Sequence, residues 1–459
     1  MADNNLTLSD AISALAEQKK YPALRDILIT MNPADIAALF EDLEEHFLPL
    51  LFRLLPKDIA GETFVEMESD SQELLIRGFS DSELKDVVDE LYVDDAVDLV
   101  EEMPANVVNR ILRQADPETR KLINNMLKYP EDSAGSIMTT EFVDFLPNMT
   151  VADAIKHIRR TGVDSETINT CYIVDESRHL AGIVSIRSLI LAEDDTLLSE
   201  FMEENVISVD TLTDQEDVAA MFSKYNFTAL PVVDGEQRLV GIVTVDDAMD
   251  VMEDEATEDI ELMGGTNPID KPYLKTGVAR LWLARIPWLL ILLIGATFTG
   301  IILYRYEGAV STSLLLTLFL FIPMLMDTGG NSGSQTSVTI LRGLSLEDIE
   351  FADVFRVVWK EIRVALLCGI SLALVAFGKI MLVDRLLLGN TAVTAAVALA
   401  VSAALVPVVV VSKLIGCLLP MLADRLSLDP AFVSGPVITT IVDALSLLIY
   451  FAVALRILA

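Results

Sequence analysis

Carboxylates at helical spacing are the groups in this sequence that could do chemistry, and residues 245–263 hold the longest series of them. Apolar residues mark one side of this segment as a helix. Asp247, Asp250, Asp254 and Glu258 therefore form a continuous stripe on the other side. Like charges three or four residues apart destabilise a helix. The stripe calls for a cation or a basic partner, although solvent could serve instead.

A second acidic cluster consists of Asp94, Asp95 and Asp98, which fall within one helical turn. Such a cluster is usually a solvated helix face. Together with the acidic stripe, however, the cluster supports the hypothesis of a metal-binding site. The striped helix should end at Gly264 and Gly265 and lead directly into an apolar stretch. An ion that bridged the stripe to other acidic parts would then pull on that stretch.

Two further carboxylates stand in apolar surroundings. Asp443 has Thr439 and Thr440 one turn before it, and Asp327 directly precedes a polar, glycine-rich run. A carboxylate in a membrane span costs roughly 2.5–3.5 kcal/mol on insertion scales, so it is by default a functional hypothesis. The plain alternative for Asp443 is an internal pair with Lys379 or a hydrogen bond between packed helices.

The elements that must position these residues include five apolar stretches, each long enough to cross a bilayer, which takes about 20 residues. They are residues 285–304, 312–341, 362–383, 391–420 and 434–457. Pro407 predicts a tilt or kink in the fourth. Pro323 and the glycine-rich run 328–335 interrupt the second. Because backbone groups of an interrupted span cannot face lipid, we expect the run to be buried or to line a wet cavity on the permeation path.

Charge is distributed unevenly along the chain, which is 52% hydrophobic yet has a net charge of −36. Residues 1–270 hold 58 acidic and 19 basic residues, whereas residues 271–459 hold 11 and 14. The acidic block disfavours nucleic acid and anionic lipid as its partners and favours cations. Lys and Arg near the spans predict a multi-pass protein of the cell (inner or plasma) membrane with this block in the cytoplasm. Five spans then leave the C-terminus outside.

Other chemistry finds little support in the composition. Cys171, Cys368 and Cys417 are far apart, so neither a disulfide framework nor a thiolate metal site is expected. Three histidines leave little from which to build a zinc or iron site. We find no nucleophile with a base, phosphate-binding loop or catalytic metal motif, and we do not expect an enzyme.

Residues 136–250 contain an internal repeat. The segment Val174–Ser185 recurs 59 residues later as Val233–Thr244, and upstream matches are offset by 64 because of a longer loop around residues 162–170. Each copy predicts a helix, a strand, a turn, a second strand and a helix. The repeat resembles a tandem pair of cystathionine-beta-synthase (CBS) modules.

The CBS resemblance implies an α/β fold and either adenosine nucleotide binding or a regulatory clamp. A Ser/Thr-x-x-Asp sequence after the last strand often holds ribose in these modules. Thr244 and Asp247 match it in the second copy, whereas the first copy has Ser185 and Ser188. ATP is therefore a candidate ligand at one site at most.

The segment before the repeat, residues 6–130, consists of short amphipathic stretches introduced by helix-starting sequences. These sequences are Asn32-Pro33, Leu55-Pro56, Ser80-Asp81 and Asp116-Pro117. Their spacing predicts a superhelix of short helices.

The order of parts resembles the MgtE family of magnesium channels along essentially the whole chain: helical acidic domain, CBS pair, acidic helix, and five spans with Gly-Gly-Asn-x-Gly-x-Gln and a late Asp. The resemblance implies a homodimer in the lipid bilayer, with an ion path at its interface lined by the second and fifth spans. It also implies cytoplasmic domains that bind Mg²⁺ and close the pore when internal Mg²⁺ is high.

The resemblance also assigns residues. The pore aspartate corresponds to Asp443, beside Thr440, and the broken second span to Gly329, Gly330 and Asn331. Some members have Gly where this chain has Ser446. The regulatory carboxylates correspond to Asp94, Asp98, Asp247, Asp250, Glu255, Glu258 and Asp259.

The predicted architecture is a multidomain membrane protein in four parts. These are an acidic α-helical superhelix domain (1–131), an α/β tandem CBS pair (132–249), an acidic connecting or plug helix (250–270) and an α-helical five-span transmembrane domain (271–459). Mg²⁺ gives up its waters reluctantly, so its pore needs only a small ring of carboxylates, such as two copies of Asp443.

Three alternatives stay open. Oxygen ligands do not separate Mg²⁺ sharply from Mn²⁺, Co²⁺ or Ca²⁺. A CBS-regulated anion channel of the ClC type would have its modules after a longer membrane part, and an acidic pore entrance repels anions. A membrane-anchored sensor that transports nothing would not need Asp443 or the glycine-rich run.

Overall fold

The computed structural model describes residues 8–163, 165–269, 271, 273–306, 312–346, 348–426, 428–433 and 435–458. The chain divides into two compact units, Met1–Met252 and Glu253–Ala459. The predicted start of the last span at residue 434 and the predicted end of the connecting helix at residue 270 lie outside the described residues. The predicted domain borders at residues 131, 249 and 270 stay predictions.

The first part of the first unit is a succession of ten short helices in the described residues. They are α1 Leu8–Glu17, α2 Tyr21–Leu28, α3 Pro33–Glu41, α4 Leu48–Phe52, α5 Lys57–Val65, α6 Ser69–Gly78, α7 Asp81–Val88, α8 Val93–Glu102, α9 Ala105–Gln114 and α10 Pro117–Met126. The predicted helical domain is confirmed.

Helix starts in this domain follow the signals in the sequence. The Asn32 side chain accepts a hydrogen bond from the Ala34 amide, and Ser80 forms a reciprocal capping box with Glu83. Asp116 accepts hydrogen bonds from two amides of the first turn of α10. Each helix is too short to be stable alone. Their apolar faces therefore form one shared core, in which Phe40 is fully buried.

The tandem repeat folds as two similar three-stranded sheets. The first copy contains β1 Phe142–Phe145, α11 Val151–Thr161, β2 Thr167–Val174, β3 Leu180–Ser185 and α12 Ile186–Leu191. The second contains β4 Val209–Asp210, α13 Gln215–Tyr225, β5 Ala229–Val233, β6 Leu239–Thr244 and α14 Val245–Met263. In each sheet the first pair of strands is parallel and the second antiparallel. The α/β repeat is confirmed, and each copy gains a leading strand that the sequence did not predict.

The turn between the antiparallel strands is built identically in both copies. The Asp175 carboxylate accepts hydrogen bonds from the amides of Ser177 and His179, and Asp234 does the same two and four residues on. Arg178 has a φ of 67° and Gln237 has a φ of 63°. This shared geometry explains why the two sequence copies align at the turn.

The described residues of the second unit form five candidate membrane spans. The helices of this unit are α15 Val278–Tyr306, α16 Thr312–Phe319, α17 Ile322–Ser345, α18 Val354–Lys379, α19 Ala395–Arg425 and α20 Gly435–Leu458. The second span, Leu314–Ser345, includes both α16 and α17. A π-helix Ile380–Leu387 continues α18, and short 3₁₀ turns lie at Leu198–Glu200, Phe351–Asp353 and Ala431–Val433. In the most apolar window of each helix, 56% of α19 is buried against 6% of α15, so α19 is central and α15 peripheral. α19 continues as a helix through Pro407.

The second span has a break beside Pro323, as predicted, but none in the glycine-rich run. The helix is interrupted at residues 320 and 321, between α16 and α17, and the glycine-rich run 328–335 is α-helical. The expectation of a break at Gly329, Gly330 and Asn331 was wrong. Pro323 lacks an amide proton and falls in the first turn of α17, where none is needed. At the break, the Leu318 carbonyl accepts hydrogen bonds from the Phe321 amide (3.1 Å) and the Tyr450 hydroxyl (3.0 Å).

The glycines of α17 serve close packing instead. A Cβ on Gly416 of α19 would lie 2.3 Å from the Gly333 carbonyl oxygen, so the two backbones touch. A Cβ on Gly329 would lie 2.7 Å from the Ser446 hydroxyl of α20 and 3.2 Å from the Ser412 hydroxyl of α19. Small residues four apart allow such contact between membrane helices. The run is therefore buried in protein on its glycine face.

Candidate cation sites

Three carboxylates that are distant in sequence converge in the first unit. Asp94 lies in the first turn of α8, Glu166 immediately precedes β2, and Asp247 lies in the first turn of α14. One oxygen from each lies within 4.8 Å of the others. Two Mg–O bonds of about 2.1 Å span at most about 4.2 Å, so the set fits an ion bound partly through water.

The electrostatics of this carboxylate cluster, Asp94, Glu166 and Asp247, favour a bound cation. Asp94 is 5% exposed, and burial followed by repulsion from Glu166 and Asp247 raises its pKa well above the usual value. Burial and the charge of Asp247 raise the pKa of Glu166 to about 8. Oε2 of Glu166 is buried without a hydrogen-bond partner among the described residues. A divalent cation would supply the missing partner and offset the repulsion.

Neighbouring carboxylates extend the cluster. Burial raises the pKa of Asp95 and that of Asp98 to about 7, with Asp247 contributing to both. Burial also raises the pKa of Asp247 to about 6, although the Thr244 hydroxyl donates a 2.5 Å hydrogen bond to its Oδ2. Asp250 adds to the charge at Asp247. The predicted residues Asp94, Asp98, Asp247 and Asp250 therefore share one electrostatic environment.

A second acidic site lies in the second unit, at the C-terminal half of α14. Burial, together with the charges of Asp429 and Glu255, raises the pKa of Asp259 to about 6. Asp429 lies in the loop before α20, where its Oδ1 accepts a hydrogen bond from the Ala431 amide. Glu258 is exposed on the same helix. The structure thus brings Glu255 and Asp259 to a carboxylate that sequence reasoning missed.

The end of α14 packs against the helices of the transmembrane domain. Leu262 contacts Leu341 of α17 and Ala431 in a small buried cluster. A Cβ on Gly435 would lie 2.3 Å from the Met263 carbonyl oxygen, and the φ of Gly435 is 30°. Only glycine fits this contact, which joins the acidic helix directly to the start of α20.

A polar stripe runs along the membrane helix α17. Asp327, Asn331, Gln335 and Thr339 follow one another at intervals of four residues, and all four are exposed in the single chain. The opposite face contains the buried glycines. Because such a stripe is costly against lipid, it belongs against water or another protein surface.

Asp443 lies on α20, half-buried, with Asp327 close enough for the two charges to repel. Lys379 instead pairs with Asp384 at 2.9 Å, so the alternative internal pair for Asp443 is not formed. The Thr440 hydroxyl donates to the Pro436 carbonyl (2.9 Å), and its methyl group faces Gly295 of α15. Asp327, Asn331 and Asp443 together offer oxygen ligands suited to a hard cation.

A pocket of about 220 Å³ lies between the two CBS-like repeats. Its lining includes Thr170, Tyr172, Asn205 and Phe227, and Thr244 and Asp247 are not among its lining residues. Tyr172 is fully buried, and its hydroxyl has no hydrogen-bond partner in the described part of the chain. The pocket thus has aromatic and polar lining residues, although the Tyr172 hydroxyl itself is buried.

Residues missed by sequence reasoning are those whose partners lie far away along the chain. Glu166 falls in the repeat loop and Asp429 in a short loop between spans, and no periodic pattern marks either one. Asp327 was identified, but its proximity to Asp443 was not. The only sequence signal for Glu166 was the unequal length of the two repeats at that loop.

Known protein families match the chain in three parts. Residues 322–453 match the MgtE family, described as a divalent cation transporter. Residues 31–132 match the MgtE intracellular N domain, and residues 134–195 and 198–254 match the CBS domain.

Similar proteins cover nearly the whole chain. The magnesium transporter MgtE of Thermus thermophilus is 38% identical over 436 residues, 94% of each chain. That of Bacillus subtilis is 32% identical over 444 residues, 96% of each. Among solved structures, the cytosolic domain of the Mg²⁺ channel MgtE in complex with ATP is 37% identical, with a TM-score of 0.51 over 53% of this chain and 100% of that one.

Proposed function

The chain belongs to the MgtE family of magnesium transporters, and from this premise we propose that it is a Mg²⁺-selective channel that imports the ion and closes when Mg²⁺ binds its acidic cytoplasmic domains. The proposal includes a cytoplasmic N-terminal region, a C-terminus outside the cell and a homodimeric assembly. The membrane part with its soluble N-terminal region, rather than any catalytic constellation, is what the chain shares with its relatives.

The observation that carries the proposal is the exposed polar stripe of α17 beside Asp443. Mg²⁺ keeps most of its waters, so a path for it needs water-accessible oxygen groups rather than a dry cage. Asp327, Asn331 and Asp443 supply two carboxylates and an amide at membrane depth. A twofold axis along this stripe would double the set and remove it from lipid.

The gate rests on the carboxylate cluster and on Asp259 with Asp429. Without a cation, the repulsion within each group favours separation of the elements that hold it. With Mg²⁺ bound, Asp259 and Asp429 are bridged, and α14 is held against the loop that begins α20. Binding of Mg²⁺ on the cytoplasmic side therefore stabilises one position of the pore helix over the other.

A second ligand, ATP, is proposed for the pocket between the repeats. Its volume is below the usual range of about 300–1,000 Å³ for a whole small-molecule ligand, so base and ribose would fill it and phosphates would extend outside. The related cytosolic domain that was solved in complex with ATP supports ATP as the ligand. The placement of the ribose at Thr244 and Asp247, which rests on the sequence motif, stays a competing prediction.

Thermal unfolding of the full chain tests the two placements of ATP. At 100 times its Kd, ATP should stabilise the protein by about 2.7 kcal/mol. We expect Phe227→Ala to remove this shift and Thr244→Val to preserve it. The reverse result would place the nucleotide at Thr244, and no shift in any variant would remove ATP as a ligand.

Transport of Mn²⁺, Co²⁺ or an anion is the alternative function. Mg²⁺ uptake into proteoliposomes, with internal Mg²⁺ set low and then high, tests the main proposal. We expect uptake that falls at high internal Mg²⁺ and that Asp443→Asn lowers at least about tenfold, the factor corresponding to about 1.4 kcal/mol of lost ion binding. Asp424→Asn, an exposed carboxylate at the inner end of α19, is the matched control.

Two outcomes would contradict the proposal. Folded, dimeric wild-type protein without Mg²⁺ uptake at either internal concentration would favour another ion or a sensor. Equal uptake by wild type and Asp443→Asn would remove Asp443 from the path.

A further inference from the structure

A buried charged network joins three of the membrane helices. Lys413 of α19 donates a 2.9 Å hydrogen bond to the Thr336 hydroxyl of α17. That hydroxyl lies 3.2 Å from Oε2 of Glu361 on α18, and Lys413 Nζ lies 3.8 Å from the same oxygen. The side chains of Lys413 and Glu361 are 9% and 15% exposed.

The net contribution of such a network to folding stability does not explain why it is present. Removing two opposite charges from water costs about as much as their attraction returns, so a buried pair is weak support for a fold. Buried polar networks do fix one arrangement of packed elements when every member is satisfied. Here the single hydroxyl of Thr336 connects both charges, so its helix cannot turn without breaking both contacts.

The neighbouring contact between α17 and α19 needs a polar network of this kind to fix the position of the two helices. Gly333 and Gly416 touch through their backbones one turn from Thr336. Glycine surfaces permit close approach but lack side chains that would interlock, so they resist sliding and rotation weakly. A one-residue change in register would rotate α17 by about 100° and shift it by about 1.5 Å.

We propose that Thr336, Glu361 and Lys413 are positioning residues that set the rotation of α17 and thereby aim its polar stripe. Asn331 lies five residues before Thr336, about 140° around the helix, so the two sides are coupled through one rigid element. The inference rests on the proposed cation path along Asn331 and goes beyond it, because none of the three residues lines that path.

Thr336→Val is the informative variant, since it keeps the shape of the side chain and removes the bridging hydroxyl. Thr336→Ser keeps the hydroxyl and is the conservative control. Ser402→Ala on α19 is a second control, because Ser402 is also buried and its hydroxyl has no partner among the described residues.

Rotation of α17 can be measured apart from transport by labelling Asn331→Cys with a water-soluble thiol reagent in a Cys368→Ser background. The other two cysteines are buried. We expect Thr336→Val to slow labelling at least about fivefold, which is the factor that the free energy of one lost hydrogen bond corresponds to. Thr336→Ser and Ser402→Ala should be labelled at the rate of the parent. Without the labelling substitution, Thr336→Val should lower the maximal Mg²⁺ uptake while the dimer and thermal midpoint persist.

The double variant Lys413→Met with Glu361→Gln guards against misfolding. It removes both charges together, avoiding the unpaired buried charge that a single change would leave. It should reproduce the labelling change of Thr336→Val. Parent-like labelling in both variants would overturn the inference alone. If the chain without the labelling substitution took up no Mg²⁺, the proposed function and the inference would both be overturned.

Discussion

The pKa values of individual carboxylates in this protein depend on the residues around each one rather than on how many acidic residues the chain contains. The sequence identified Asp94 and Asp247, because each stands in an acidic series at helical spacing, but Glu166 has only Asp164 near it and belongs to no such series. The fold brings a carboxylate oxygen of Glu166 within 4.8 Å of one from each of them, and burial raises the pKa of all three. Periodicity reveals residues that share one helix and cannot reveal residues that three different elements bring together.

The raised pKa of Glu166 predicts a pH dependence with a definite sign. A carboxyl whose pKa is raised from its ordinary value of 4.5 to about 8 in the folded state binds its proton more tightly there than in the unfolded chain. Without Mg²⁺, stability from this group is therefore present below about pH 4.5 and is lost as pH rises through about 8. Each tenfold difference in proton affinity between the two states corresponds to about 1.4 kcal/mol.

Thermal midpoints of the full chain in chelator between pH 5 and 8 measure this effect. Glu166→Gln should flatten the fall of the midpoint with rising pH, and Glu176→Gln, an exposed carboxylate of the same domain, should leave it as in wild type. Saturating Mg²⁺ should also flatten the wild-type curve. Identical slopes for Glu166→Gln and wild type would contradict a strongly raised pKa at Glu166.

At the scale of elements, helix ends were predictable and helix contacts were not. The segment 245–263 is helical over the range that its periodicity indicated, and α3, α7 and α10 start where their capping residues predicted. These features depend on neighbours along the chain. The glycine-rich run of α17 was misread as a break, because glycine marks both flexible backbone and tight packing. Only the facing Gly416 distinguishes the two.

The ends of the spans also show which features the sequence could predict and which it could not. Hydropathy gave five spans, as observed, but the helices extend beyond the apolar stretches, for example to Val278–Tyr306 for the first. The polar ends follow from backbone hydrogen bonding, which hydropathy does not register. Lys413 and Glu361 were read as interfacial charges or not at all, since their pairing depends on the packing of α18 against α19.

For the molecule as a whole, the uneven distribution of charge bears on the proposed gating by Mg²⁺. The acidic residues are concentrated ahead of the spans, where Mg²⁺ on the cytoplasmic side would reach them. Neutralising bridging carboxylates should therefore mimic the absence of Mg²⁺ for the gate, because a site that cannot bind the ion cannot hold the closed position.

Asp247→Asn, Asp250→Asn and Glu258→Gln combined should keep Mg²⁺ uptake active at an internal concentration that closes wild type. A control triple with the same charge change at exposed positions should close normally: Glu62→Gln, Glu118→Gln and Glu193→Gln. Proteoliposome uptake at low and high internal Mg²⁺ compares them. Closure of the first triple at the wild-type concentration would separate these residues from the gate.

The hydrogen bond from Tyr450 to the Leu318 carbonyl also bears on the order in which the chain is made. The two residues are 132 positions apart, and Tyr450 belongs to the last helix. At about 5–20 residues per second, the ribosome delivers Tyr450 roughly 7–26 seconds after Leu318. Through that interval the interrupted second span lacks one of its polar contacts, and a transcript cut short before α20 never supplies it. Completion of the second span is thus a late event in biogenesis that must await the synthesis of α20.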